Sequence, residues 1–445
     1  MNISVIKQLN LYGLYTLPFF FIFFHGVADL LISLIAINFL ILFVTKKINV
    51  TTKTIYKDTV LIFFFLFYLA LVTSSYLSEF SSISLKRSIP YVRFLFFLAA
   101  CKYWLLTEKK YIFTMVKVFS FAAFFVCFDL IFQFFNSELV TLGNGNVARV
   151  GYDILGYKSL ESMQRLQGPF DDEFIAGGFI ARFSPFLWFL TLYFFLNKFK
   201  KKILNYFIIF LAFFFTIFAC FVTGDRSPFA LIILGSLLVL LLYFGISKKS
   251  FYLTLVICLT IFVGVYFSDL KKKRYIDEAF IALGYNSGKF SLDTGYGHLF
   301  YSAYKIWLDN PLFGAGTKNY RLICERDEYN FVSKNKHALC STHPHNYFLE
   351  LLSETGLIGL LLFYSIFINF LQKNVKSLIY YSKKNSQTWC IINSFWISII
   401  MIIWPLATTG SIITNSNSII LWTFFACIFS YASIIKKNDF KISKF

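Results

Sequence analysis

The residue types best able to do chemistry near neutral pH gather in "STHPHNYFLELLSETGLIGLLLF", residues 341–363, where a polar loop with two histidines runs into an apolar helix. An imidazole there can hold an anion as imidazolium or accept a proton as a neutral base. Thr342 or His343 can cap the helix, and Pro344 suits its first turn, where the missing N–H costs nothing. At about 100° per residue, His345, Leu349, Leu352, Gly356 and Gly359 share one face. The histidine is therefore expected above a strip whose two glycines admit another helix at close range. Asn346, Glu350 and Glu354 share a different face, and capping or pairing is the plainer account of both glutamates. A second stretch, "TGDRSPFALIIL" at 223–234, puts Arg226 beside Asp225 at the mouth of another apolar run. Its guanidinium can grip phosphate through two parallel hydrogen bonds, or simply snorkel to a membrane interface.

Such groups need a membrane frame. The 445 residues are 58% hydrophobic and 15% charged, which excludes a soluble domain with a polar shell. Apolar runs of about twenty residues, enough to cross roughly 30 Å of hydrocarbon, fall at 10–24, 27–45, 58–77, 89–106, 111–135 and 174–196. Six more fall at 203–222, 228–246, 250–267, 345–371, 388–408 and 417–434. The expectation is an all-α membrane protein, one polytopic domain over 1–445 with about twelve transmembrane helices. A large, partly helical outer loop, 268–344, joins helices nine and ten. The first run lacks a small-residue cleavage site after it and reads as a retained span. Sixty phenylalanines read as lipid contact and core filling.

Lysine clusters orient this bundle. Lys46, Lys47, Lys53 and Lys57 follow the second run, Lys109 and Lys110 the fourth, and Lys198, Lys200, Lys201 and Lys202 the sixth. The pattern repeats after the eighth, tenth and twelfth. Short basic loops stay cytoplasmic, so both termini are expected inside, with 136–173 and 268–344 facing outward. Only nine of the 42 basic residues are arginine, and none falls in an expected cytoplasmic loop. Arginine's planar fork suits phosphate in a way lysine cannot copy, which favours an outer anion site over chance and ordinary loop ion pairs. Cys324 and Cys340 are the two cysteines of the outer loop, and an oxidising compartment favours a disulfide; a zinc site with His337, His343 and His345 nearby is the competing reading, but no familiar ligand spacing is present. The run Lys271, Lys272, Lys273 and Arg274 reads by default as a solvated or lipid-headgroup contact. No nucleic-acid role is suggested.

Four segments, taken in order, carry a family likeness. His345-Asn346, nine residues, Gly356, two residues and Gly359 resembles the signature of the O-antigen ligase and polymerase superfamily of bacterial membrane glycosyltransferases. "IWLDNPLFGAGTKNYR" (306–321) is similar to that family's outer-loop block, and "TGDRSPFALIIL" to the block with an arginine at a span's outer end. "RLQGPFDDEFIAGGF" (165–179) resembles an earlier Arg-then-Gly segment. The likeness covers about residues 160–375. It implies transfer of a glycan from undecaprenyl diphosphate to a sugar hydroxyl on the periplasmic face of the inner membrane, without metal or cofactor. The partners implied are that lipid-linked donor, a lipid A core or growing lipid-linked glycan as acceptor, and membrane lipids. His345 and Arg226 are the catalytic candidates; Arg165, Arg321, His343 and Asn346 are candidates for binding diphosphate or glycan. Many relatives carry an arginine before the outer-loop helix, where "DTGYGHLFYSAYKIW" offers His298 as a substitute.

The competing class is a transporter or flippase of lipid-linked saccharide, which should spread cations through the membrane's depth and show two related halves. Cations crowded at one face favour the enzyme. Ligase and polymerase share a donor and a chemistry, so one sequence does not separate them.

Overall fold

The computed structural model describes residues 2–141, 147–156, 158–160, 165–170, 173–195, 198–200, 202–245, 275–276, 280, 285–286, 289–290, 295–329, 340–382, 386–408, 410–413 and 415–442. Among these, eight helices are long and apolar enough to cross a bilayer. They are His25–Val44, Thr59–Leu77, Lys109–Phe135, Ala176–Phe195, Lys202–Val222, Arg226–Phe244, Tyr347–Tyr381 and Asn415–Ile442. Ile3–Phe23 and the 17-residue Gln387–Ile403 pack beside them. The expected span at 250–267 lies outside the described residues, so the count of twelve is not reproduced here.

The expected span at 89–106 is three helical pieces: a 3-10 turn Ile89–Val92 entered through Pro90, an α-helix Arg93–Ala100 and a π-turn Cys101–Leu105. That wider turn lies where Lys102 meets Asp58. The described residues of the first outer stretch hold strands and turns and no helix. Strands Glu138–Thr141, Val147–Tyr152 and Lys158–Leu160 form a small antiparallel sheet, with Glu138 opposite Val150 and Val150 opposite Leu160.

The bundle interior is aromatic, as a phenylalanine-rich chain must make it. Phe119 packs edge-on against Phe183, Phe395 and Phe424 with centroids 5.2–6.1 Å apart. Leu34, Phe65, Phe128, Leu211 and Leu361 lie on the outside of their helices, where lipid would cover them.

The helix Tyr347–Tyr381 breaks at Gly356, whose φ of 66° and ψ of −171° lie outside helical space. A break orphans backbone groups on either side, and each orphan costs several kcal/mol where water is excluded. Residues 311–316 fill the gap. Leu357 N donates to Pro311 O (2.9 Å) and Ile358 N to Leu312 O (3.2 Å). In return Ala315 N donates to Ser353 O (2.9 Å) and Gly316 N to Glu354 O (3.0 Å). Close approach is needed on both sides: a Cβ at Gly356 would overlap the Leu312 carbonyl, and one at Gly314 the Glu354–Thr355 peptide. Gly356 therefore receives a loop rather than a second helix, contrary to the expected glycine strip. Gly359 stays helical, and a Cβ there would overlap Thr355 of its own helix.

Serines extend the clasp. Ser74 donates to Glu354 O at 2.6 Å, while Ser75 and Ser84 lie within 2.7 and 3.0 Å of the Thr317 hydroxyl. Outside it, helices Gly295–Asp309 and Tyr320–Ile323 enclose a small core of Leu299, Ala303, Ile306, Tyr320 and Ile323. Cys324 and Cys340 are joined there with Cα atoms 5.8 Å apart, which ties down the chain just before Ser341.

Contacts sort the connections to two ends of the bundle. Lys7 with Thr107, Lys109 with Thr388 and Lys102 with Asp58 meet at one. Arg93 with Asp29, Arg326 with Glu79 and Ser227 with Thr408 meet at the other.

Gly356→Ala and Gly314→Ala should each cost at least about 2 kcal/mol, read as a lowered unfolding midpoint in detergent. Gly178→Ala, with nothing within 4 Å of the added carbon, should be neutral. Replacing Cys324 and Cys340 together by Ser should cost about 3 kcal/mol for a closed loop of this length; thiol alkylation of the unreduced, denatured wild type should leave both unlabelled.

Candidate functional site

The end of the bundle that carries Arg226 is built on the 223–226 turn. Thr223 Oγ1 donates to Cys220 O at 2.7 Å and accepts from Asp225 N at 3.2 Å. Asp225 stands at the N-cap of the Arg226–Phe244 helix, but its side chain makes no cap bond because its carboxylate takes the Arg165 guanidinium. Arg165 also donates to Phe174 O at 3.0 Å and lies over the Phe174 ring at 4.4 Å. Leu166 N to Thr223 O (3.2 Å) and Gly168 N to Gln133 Oε1 (3.1 Å) hold this segment down. Arg165 is thus committed to Asp225, and its pairing fixes the residue that precedes Arg226.

The histidine string differs from its expected geometry. The helix cap is Asn346, whose Oδ1 accepts from Leu349 N at 3.0 Å, and not Thr342 or His343. His345 therefore precedes the helix, in a left-handed conformation with φ 54°, and does not share a face with Leu349. Asparagine outcompetes its neighbours because its short carboxamide reaches the N3 amide. The His345 Nε2 lies 3.1 Å from Ser341 Oγ, and its ring centroid 4.2 Å from that of His343 and 6.0 Å from Tyr296. His343 Nδ1 lies 2.9 Å from Thr342 Oγ1.

One short segment, 404–413, connects these two pieces. Asn346 Nδ2 donates to Pro405 O at 2.6 Å and to Ala407 O at 3.3 Å. Ser227 Oγ donates to Thr408 O and accepts from Thr408 N, both at 3.0 Å. Arg226 and His345 are each one residue from an anchor, and those anchors grip adjacent residues. Arg182, from Ala176–Phe195, enters the same neighbourhood, donating to Asn417 Oδ1 at 2.7 Å and to the Tyr347 hydroxyl at 3.3 Å.

Buried carboxylates support the segment from below. Glu350 accepts from Ile412 N at 2.8 Å and from Ser411 Oγ, and lies 3.6 Å from Lys318 Nζ. Glu354 accepts from Lys318 N at 2.8 Å. Lys318 has φ 64°, a conformation uncommon for a side-chain-bearing residue, and it serves both glutamates at once. Their roles are pairing and backbone capping.

Sequence reasoning placed Arg182 in the outer half of the sixth span without giving it a role at the site, and missed Lys318. Arg182 sits inside "FIARFSPFLWF", which scores as apolar span, and its polar partners come from more than 160 positions away. His298 is fully buried in the helix Gly295–Asp309; Arg321 is exposed on Tyr320–Ile323. His337 and the run 271–274 lie outside the described residues. Among the described residues no His, Cys, Asp and Glu group is arranged to hold a metal.

Taken together, Arg226, Arg182, His343 and His345 supply cations and a titratable imidazole at one end of a hydrophobic bundle, on backbone fixed by Asn346, Ser227 and Glu350. Such a set can neutralise a phosphate anion and pass a proton. No curated protein matches the chain. Residues 211–364 match the model of the O-antigen ligase family, a stretch that holds Arg226, His298, Arg321, His343, His345, Asn346, Gly356 and Gly359 and begins after Arg165 and Arg182. That family acts in the biosynthesis of O-antigen and surface polysaccharide. The chain thus carries, over residues 211–364, a domain of the O-antigen ligase and polymerase superfamily of membrane proteins.

Proposed function

We propose that this protein is a glycosyltransferase that moves a glycan from undecaprenyl diphosphate to a sugar hydroxyl at the periplasmic face of the inner membrane, with both termini cytoplasmic. The observation that carries this reading is the pair of anchors on 404–413. Asn346 and Ser227 grip neighbouring residues of it, so that Arg226 and His345 belong to one neighbourhood.

In the reaction the acceptor oxygen attacks the anomeric carbon, the bond from that carbon to the diphosphate breaks, and undecaprenyl diphosphate leaves with the electron pair. Charge builds on the leaving phosphate, where Arg226 stabilises it by hydrogen bonds worth about a hundredfold or more in rate. His345 takes the acceptor's proton, or it pairs with the diphosphate while that proton passes to the departing phosphate. Asn346 positions His345, since both ends of its carboxamide are used by the protein. Arg165 positions Arg226 through Asp225.

A transporter reading draws some support from the broken helix, because interrupted helices line many transport sites. Here the freed backbone groups bond to residues 311–316, which leaves them no role in binding cargo.

Purified protein incubated with a lipid-linked repeat donor, with and without a lipid A core acceptor, tests the activity. A ladder of lengthening lipid-linked chains identifies a polymerase, glycan on the core lipid identifies a ligase, and neither product from folded protein defeats the proposal. Arg226→Ala and His345→Ala should each lower product formation by about a hundredfold or more while leaving the gel-filtration profile unchanged. Arg165→Ala and Asp225→Asn should each lower the rate by about tenfold. The double variant should be no slower than the worse single one, because the two act through one contact.

A further inference from the structure

The bundle end remote from Arg226 holds a cavity of about 220 Å³ among the described residues. Two helices measure the separation: Thr59–Leu77 has Ser74 at the clasp and Asp58 at the cavity, and sixteen helical residues span about 24 Å. Likewise Tyr347–Tyr381 has Glu354 at the clasp and Lys373 at the cavity.

Four lysines and a single aspartate line the space: Lys57, Lys102, Lys373, Lys436 and Asp58. The floor is occupied. Asp58 accepts from Val60 N at 3.2 Å, from the Tyr103 hydroxyl at 2.6 Å and from the Lys102 ammonium, which also lies 3.8 Å from the Phe429 ring centroid. Asp58 is thereby committed to Lys102 and to its helix cap. Lys57, Lys373 and Lys436 are exposed on the rim, and no ion pair joins any of them to a described acidic residue. Three exposed ammonium groups around a closed floor repel one another, and a multivalent anion between them relieves that repulsion.

We propose that this cavity binds a phosphate group, from the headgroup of an anionic phospholipid in the adjoining leaflet or from free phosphate in solution. Basic loops on one side follow from topology alone. Topology does not require lysines from four separate segments to converge on one hollow with a buried polar floor. Thr54 and Ser433 line the same opening, and Val60 and Phe429 give it an apolar wall suited to a lipid's glycerol end.

The test is thermal unfolding of the full chain in neutral detergent, titrated with short-chain phosphatidylglycerol, with phosphatidylcholine of the same chains, and with inorganic phosphate at matched ionic strength. The wild-type midpoint should rise by a few degrees with phosphatidylglycerol or phosphate and stay level with phosphatidylcholine. A rise with phosphatidylglycerol alone assigns the lipid as source; a rise with phosphate assigns the soluble anion. The triple variant Lys57→Gln, Lys373→Gln, Lys436→Gln should weaken the apparent affinity about a hundredfold. The corresponding Arg triple should keep it, and Gln at Lys47, Lys198 and Lys200 should leave it unchanged. An unaltered response in the rim triple, or an equal rise with phosphatidylcholine, overturns the proposal.

Discussion

Four backbone hydrogen bonds exchanged between residues 311–316 and the broken helix at Gly356 hold the outer loop onto the bundle. A helix interrupted where water is excluded must find partners for the groups it frees, and here the partners come from one loop rather than from a ligand or solvent. The clasp fixes the first turns of Tyr347–Tyr381, and with them Asn346 and the histidines before it. It also carries Lys318 to Glu350, which caps the backbone at Ile412. From Ile412 back to Pro405 runs the segment that meets both Asn346 and Ser227. One local exception to helical geometry thus sets the positions of several side chains that no single helix could bring together.

The arginines divide by what they touch. Arg93 pairs with Asp29, Arg326 with Glu79 and Arg165 with Asp225. These pairs weaken the sequence argument that arginine outside the membrane signals an anion site, since part of the asymmetry is structural. The argument survives in a narrower form. Arg182 joins neutral partners, Asn417 and Tyr347, and a guanidinium held by neutral groups keeps its charge available to an incoming phosphate. Arg226 begins a helix whose preceding carboxylate is directed to Arg165.

Most of the membrane helices were legible because an apolar run of span length has few other uses. The break at Gly356 was not, since "GLIGLLLF" reads as continuous helix and the loop that enters it lies some forty residues earlier. A glycine in a helix interior was the available hint, and the glycines of "NPLFGAG" were its counterpart. The cap was misplaced by a few residues because Thr342, His343 and Asn346 are all competent, and only Asn346 also reaches Pro405 and Ala407. His298 was expected just before an amphipathic outer-loop helix as a substitute for an arginine; it lies inside that helix, Gly295–Asp309, and is buried. Arg165 and Arg226 were each singled out, but nothing local in either string encodes the Asp225 contact between them.

A structure of the protein with undecaprenyl diphosphate bound tests the central claim most directly. The account predicts that the diphosphate oxygens lie within hydrogen-bond distance of Arg226, with His345 beside the lipid-distal phosphate. Diphosphate bound elsewhere in the bundle, with the Arg226 and His345 region unoccupied, would contradict it.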